Sequence, residues 1–150
     1  MTYATLREKE SEALVAARHY RALAEDAQAD AVRQGGIMAW RDYRFTSSSG
    51  LTQEWEAFSR QMRAYLKKTL APDFELVSYS RGHFYFSAFL KNIETGKLAY
   101  ISCSDVRFFP NEWAERLLIR TAKHDKDYTG GVNCSSSLDE LKQKVQELTR

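Results

Sequence analysis

The sequence predicts an α+β fold: a long N-terminal helix, then an antiparallel sheet of three to four strands packed on one face by helices. Three observations carry that prediction. Between Thr5 and Gln34 helix formers run without a glycine or proline. Between Phe74 and Asp105, short runs rich in aromatic and β-branched residues alternate with turn residues. Between Leu51 and Leu70 the apolar residues recur at helical spacing.

The N-terminal stretch comes first. Thr5 followed by Glu8 reads as a capping box, and Gly35-Gly36 as the stop. Its narrow apolar stripe is Leu6, Ala13, Ala17, Tyr20, Ala24, Ala27 and Ala31, a heptad-like spacing of mostly small residues. Some thirty helical residues would extend about 45 Å, longer than a domain of this size is across. The helix is therefore expected to fold back on the chain's own helices, to project, or to pair with a second copy as a homodimer.

Residues 37–50 carry a poor signal, compatible with an edge strand or a second short helix, and Ser47-Ser-Ser-Gly50 reads as a loop. Trp40, Tyr43 and Phe45, interleaved with Arg41 and Arg44, have two readings. They could stack on bases, or they could anchor the junction by packing, which is the commoner use of aromatics beside a helix end.

In the next helix Leu51, Trp55, Phe58, Met62, Tyr65, Leu66 and Leu70 share one face, and Ala71-Pro72 ends it. That face should cover the sheet. Away from it lie Arg60, Arg63 and Lys67, with Lys68 nearby, and residues 35–72 carry six Lys or Arg against three acidic residues. Such a row can neutralise phosphates. It can equally be a solvated face whose cations complement the helix C-terminus.

The sheet follows. Phe74–Ser80 and Phe84–Leu90 alternate around Arg81-Gly82, where glycine would supply a left-handed turn residue, and Leu98–Ser104 returns after a turn at Gly96. Strict alternation puts Phe74, Leu76, Phe84, Phe86, Ala88, Leu90, Ala99, Ile101 and Cys103 on an apolar face. Tyr79, His83, Tyr85, Ser87, Tyr100, Ser102 and Ser104 fall on the other. Beyond it, Phe108–Asn111 turns the chain and Asn111–Arg116 suits one or two helical turns. Leu117–Ala122 is read as a fourth strand, with a continuing helix as the alternative. A polar loop spans Lys123–Ser137, and Ser137 with Glu140 caps a last helix bearing Leu138, Leu141, Val145 and Leu148. The expected organisation is 1–50 as helix and connector, and 51–150 as the α+β domain.

Composition narrows the function classes. The chain has 150 residues, 43% of them hydrophobic, enough for one core that buries roughly two-thirds of the unfolded surface. Its 22 basic and 20 acidic residues leave a net charge of +2, so any case for nucleic acid is local. Two distant cysteines suit a reducing compartment better than a disulfide scaffold. No leader-like or membrane-spanning run occurs, which points to a cytoplasmic protein without membrane contact.

The candidate chemistry lies around the Lys123–Ser137 loop, where Arg120, His124, Asp125, Asp127, Tyr128, Gly130-Gly131 and Cys134 gather ahead of a helix start that could stabilise a thiolate. The spacing matches no established nucleophile arrangement, and Thr129-Gly130-Gly131 lacks a Walker lysine. Zinc would have to be assembled from His83, Cys103, His124 and Cys134, which lack paired ligand spacing. No catalytic residue, metal ligand or cofactor is assigned from sequence.

From Leu51 onward the order of elements is similar to that of double-stranded-RNA-binding domains, in topology only. The lysine-rich helix start by which that family holds phosphates is replaced here by the acidic Leu138-Asp-Glu-Leu. In texture, Ser80-Arg-Gly-His-Phe-Tyr-Phe-Ser, Glu94-Thr-Gly-Lys, Ser104-Asp-Val-Arg-Phe-Phe and Ile119-Arg-Thr-Ala-Lys-His-Asp-Lys-Asp-Tyr-Thr-Gly-Gly resemble small uncharacterised proteins of bacterial plasmids, phages and integrative elements. That resemblance covers about the C-terminal half. It implies an accessory or anti-defence factor, a class that includes anti-CRISPR proteins, and hence a non-catalytic binder.

Three functional readings result. The first is a binding protein that occludes a protein or nucleoprotein partner through Tyr79, His83, Tyr85 and Tyr100, or through Lys123, His124, Lys126 and Tyr128. The second is direct nucleic-acid binding through Arg41, Arg44, Arg60, Arg63, Lys67 and Lys68. The third is an enzyme using the His124–Cys134 loop.

Overall fold

A computed structural model of the chain describes residues 2–34, 36–45, 53–107 and 110–150. The fold is α+β, with a five-stranded antiparallel meander in the order β1-β2-β3-β4-β5. Its elements are helices α1 (Tyr3–Gln34), α2 (Gln53–Leu70), α3 (Pro110–Ala114) and α4 (Leu141–Leu148), and strands β1 (Phe74–Arg81), β2 (Phe86–Asn92), β3 (Leu98–Cys103), β4 (Leu117–Ala122) and β5 (Cys134–Ser136). A 3-10 helix at Ile37–Asp42 joins α1 to the body. The sheet thus has one strand more than the three to four expected. The missed strand, Cys-Ser-Ser, is too short and too polar to alternate visibly, and the ladder of β4 defines it by pairing Leu118 with Ser135.

Helix α1 begins earlier than the capping box suggests. Thr2, not Thr5, is the cap, since the Thr5 backbone N–H donates to Thr2 Oγ1 at 3.2 Å. From Thr2 to Tyr20 the side chains are solvent-facing, with Leu6, Leu14, Val15 and Tyr20 all exposed. The first part of the stripe therefore meets no other helix among the described residues. Ala24, Ala27 and Ala31 lie outside the described side chains, as do residues 46–52 for both backbone and side chain.

The junction aromatics pack. Trp40 is buried, meets Tyr43, Phe45 and Phe58 with ring centroids 4.8–5.8 Å apart, and donates its indole N–H to Gln61 Oε1 at 3.0 Å. Trp40 is thereby withdrawn from base stacking, while Tyr43 and Phe45 stay partly exposed, and Arg41 forms an ion pair with Glu115.

Under the sheet, α2 buries Trp55, Phe58, Met62, Leu66 and Leu70, and α4 buries Leu141 and Val145. Each such side chain contributes about 1.5–3 kcal/mol by leaving water. The core face of the sheet supplies Phe86, Ala88, Leu90, Ala99, Ile101, Cys103, Leu117 and Ile119. Trp113 from α3 closes one end, 5.3 Å from Phe58. At the other end the chain terminus is latched. Asn92 Nδ2 donates to Thr149 Oγ1 at 3.0 Å, and Thr95 Oγ1 donates to the Thr149 carbonyl at 2.6 Å. The Ser137 Oγ accepts from the Glu140 N–H at 3.2 Å in the turn ahead of α4, but the helix itself is entered at Glu140 without a side-chain cap, so the expected capping box is not formed.

Two departures from strict alternation shape the sheet. The first is a register shift between Leu76 and Ser78, which pair with Leu90 and Phe89 and leave Val77 unpaired. The extra residue moves Tyr79 onto the core side, opposite Ala88 and 5.9 Å from the Phe86 ring. The second lies in the first hairpin, whose turn is longer than sequence suggests. Phe84 belongs to the turn rather than to β2, and it carries the positive φ, 58°, that was expected of Gly82. Its ring is nevertheless fully buried, with the Arg107 guanidinium 4.2 Å from its centroid. Gly82 is required for space instead: a Cβ there would stand 2.1 Å from the Tyr85 ring. Gly96 has the left-handed φ expected of it, 73°.

Candidate functional site

The register determines what the sheet displays away from the helices. One row across the strands is Ser80, Ser87, Ser102, Leu118 and Ser135, and the next is Ser78, Phe89, Tyr100 and Arg120. The first row is largely hydroxyl. The second contains Phe89, which is out of phase with the apolar face yet only 1% exposed. It is covered from its own side, by Tyr100 at 5.0 Å and Tyr128 at 5.3 Å between ring centroids.

Tyr128 reaches that position because the loop after β4 is tied down at several points. Arg120, 2% exposed, stacks over Tyr100 with its guanidinium carbon 4.2 Å from the ring centroid. The same guanidinium donates to the Asp127 carbonyl, and to the Thr121 carbonyl at 3.1 Å. The Asp127 carboxylate accepts from the Lys123 N–H at 3.0 Å and the Gly130 N–H at 2.8 Å. Those backbone donors, led by Lys123 and opposed by desolvation, hold its pKa below the ordinary carboxylate value, with a smaller lowering from Arg120. The two loop glycines have steric reasons. A Cβ at Gly130 would stand 2.3 Å from Asp127 Oδ2, and Gly131 has φ 76° with its Cβ direction 2.5 Å from the Thr121 carbonyl oxygen.

The result is a groove of about 640 Å³ on the sheet surface. Tyr85, Tyr100 and Tyr128 line it together with Ser80, Ser87, Ser102 and Ser104. Tyr85 and Tyr128 are about half exposed. Tyrosine offers rigid amphipathic area at a small loss of conformational entropy, and serine offers adaptable hydrogen bonds, the pairing that antibody binding loops use.

Of the partner-binding residues expected from sequence, Tyr85, Tyr100 and Tyr128 converge on this groove. Tyr79 does not, because the bulge turns it inward. His83 sits in the hairpin turn with its ring 5.1 Å from Phe84, and Lys123, His124 and Lys126 are exposed on the loop without lining the groove. Sequence reasoning passed over Phe89 and weighed Arg120 only for chemistry in the loop, whereas both position Tyr100 and Tyr128. The signal for Phe89 is its phase, an aromatic between two core residues of β2.

The groups weighed for nucleophile chemistry are engaged locally. His124 Nδ1 accepts from the Lys126 N–H at 3.2 Å, and Asp127 braces the loop. Cys134 is exposed in β5, its thiol directed at the Val132 carbonyl at 3.8 Å, and α4 begins only at Leu141. The expected helix start behind the thiol is therefore not there. Cys103 lies on the core side, where burial pushes its thiol up to about 12. No group of three or more His, Cys, Asp or Glu that could hold a metal ion occurs among the described residues.

The basic residues separate. Arg60, Arg63, Lys67 and Lys68 are exposed on α2, Arg44 is exposed beyond the 3-10 helix, and Arg41 is paired with Glu115. Arg60 and Arg63 border a smaller concavity with Arg81 of β1. No helix among the described residues is long and apolar enough to cross a membrane. No protein-family model, curated protein or solved structure matches the chain.

Proposed function

We propose that this chain is a non-catalytic binding protein that grips an extended segment of a protein or nucleoprotein partner in the tyrosine-serine groove, and acts by occluding that partner. One observation carries the reading: tyrosines from three separate segments, the first hairpin turn, β3 and the loop after β4, converge on a row of serine hydroxyls. Each requires its own structural support, namely Gly82 beneath Tyr85, Arg120 against Tyr100, and the Asp127-braced loop behind Tyr128. A volume of about 640 Å³ falls within the roughly 300–1,000 Å³ of ligand-binding clefts. Hydroxyl groups lining a groove can also meet the backbone amides of a bound segment. An accessory or anti-defence role, which the resemblance of the C-terminal half implies, needs no more than such occlusion.

The test is selection of binders from a displayed library of linear peptides, followed by measurement on two variants, Tyr85→Ala and Ser102→Trp. The first removes one side of the groove and the second fills it. Selected peptides should weaken by at least about tenfold on both variants, as loss of an aromatic contact at a binding centre implies, while circular dichroism stays unchanged. Peptides that bind both variants as well as the parent would place the contact elsewhere and reject the groove.

A further inference from the structure

Alternate residues of β1 serve two different surfaces. Ser80 faces the tyrosine groove, whereas Tyr79 and Arg81 face a second concavity of about 280 Å³ between β1 and α2, lined also by Glu56, Ser59, Arg60 and Arg63. Three guanidinium groups therefore border a space with ample room for a small anion. Arg81 is paired with Glu56 at 3.2 Å, while Arg60 and Arg63 make no ion pair among the described residues.

The base of this concavity is unusual. Ser59 is 4% exposed, and its Oγ and the Tyr79 hydroxyl oxygen are the two buried side-chain polar atoms without a hydrogen-bond partner among the described residues. The two lie side by side, close enough for Ser59 to bear on the Tyr79 phenol as a side-chain hydrogen-bonding neighbour. Buried polar groups are almost always satisfied, so a marginal contact between the two leaves both hydroxyls with capacity for a better acceptor. Burial raises the Tyr79 phenol to about 12 against the lowering influence of Ser59, Arg81 and Arg63, so it stays protonated and able to donate at any physiological pH. An oxyanion entering between the arginines would accept from both hydroxyls and from the guanidinium N–H groups, whose planar forks suit phosphate oxygens. Glu56 opposes this, but its charge is already committed to Arg81 and leaves the surrounding set net cationic.

We infer that this concavity is a binding site for one phosphate group, held by Arg60, Arg63 and Arg81 over the Ser59 and Tyr79 hydroxyls. It is separate from the tyrosine groove and does not depend on it. The phosphate could be carried by a monoester or belong to a nucleic-acid backbone, and the same chemistry serves both.

NMR titration with inorganic phosphate, run against chloride at matched ionic strength, should move the Arg63 and Arg81 Nε–H resonances saturably. Arg60→Gln/Arg63→Gln should weaken phosphate by at least about tenfold, the worth of a charge-assisted hydrogen bond. Tyr79→Phe keeps every charge and should still weaken it measurably, which a diffuse ion atmosphere would not do. A mononucleotide and a short single-stranded oligonucleotide then identify the source. Preference for the mononucleotide marks a monoester site and preference for the oligonucleotide a backbone site, each provided that the double variant loses it. Shifts that chloride reproduces, or affinities that neither variant changes, overturn the assignment.

Discussion

Arg120 holds Tyr100 and the loop after β4 with one guanidinium, its carbon 4.2 Å from the Tyr100 ring centroid and one of its amino groups donating to the Asp127 carbonyl. A planar cation can stack and donate sideways at once; an ammonium cannot do both. Arg120→Lys should therefore cost about 1–3 kcal/mol in chemical denaturation, the combined worth of a desolvated cation–π contact and a hydrogen bond. Amide exchange in residues 123–133 should accelerate by more than that in β2. Unchanged loop exchange would mean that the loop is held by its own turns.

The loop should also respond to acid. Asp127 has a folded pKa below its unfolded value, because backbone N–H groups at Lys123 and Gly130 favour the carboxylate. Its contribution is thus complete above the ordinary carboxylate pKa of about 3.9 and is lost as pH falls through the lower folded value. Melting temperatures of the parent and Asp127→Asn should differ from pH 5 to 8, on the order of the range where carboxylates are ionised, and converge in strong acid. A difference that persisted in strong acid would assign the defect to shape rather than charge.

Much of this architecture can be read in the residues, and the failures have definable causes. The apolar phase of Phe86, Ala88 and Leu90 against Ala99, Ile101 and Cys103 predicts the centre of the sheet, because burial there follows period two. The bulge at Val77 leaves no such mark, since Leu-Val-Ser-Tyr alternates acceptably in either phase, and strict alternation therefore puts Tyr79 on the wrong face. Aromatics favour strands, which predicts Phe84 within β2, whereas its burial is decided by Trp55, Phe45 and Arg107 from elsewhere in the chain. The groove was half legible: its tyrosines follow from alternation, but the loop position of Tyr128 depends on Arg120 and Asp127, contacts that cross the fold.

Gly82 gives a direct handle on the groove. Its φ is not left-handed, so alanine is acceptable to the backbone, but the new Cβ would occupy the place of the Tyr85 ring. Tyr85 is 46% exposed and can swing outward. Gly82→Ala should consequently change stability by less than about 1 kcal/mol, as at an ordinary surface site, yet weaken groove-selected peptides as far as Tyr85→Ala does. A loss of several kcal/mol would mean that the ring is locked in place and that the turn cannot yield.

Phe84 offers the sharpest test of the turn. Its ring is fully buried, its carbonyl accepts from the Val106 N–H at 2.9 Å, and its φ is 58°. Removing the ring should cost about 3–5 kcal/mol whichever small residue replaces it. The order of the replacements is what the backbone decides. Alanine at a left-handed position carries a penalty of about 1 kcal/mol that glycine avoids, so Phe84→Gly should be the more stable of the two, against the usual advantage of alanine. Urea denaturation of both variants, compared at equal m-value, measures this difference. If Phe84→Ala is instead the more stable, the left-handed turn is imposed by the buried ring and relaxes once the ring is gone, and the aromatic cluster, not the hairpin, sets the geometry at this end of the groove.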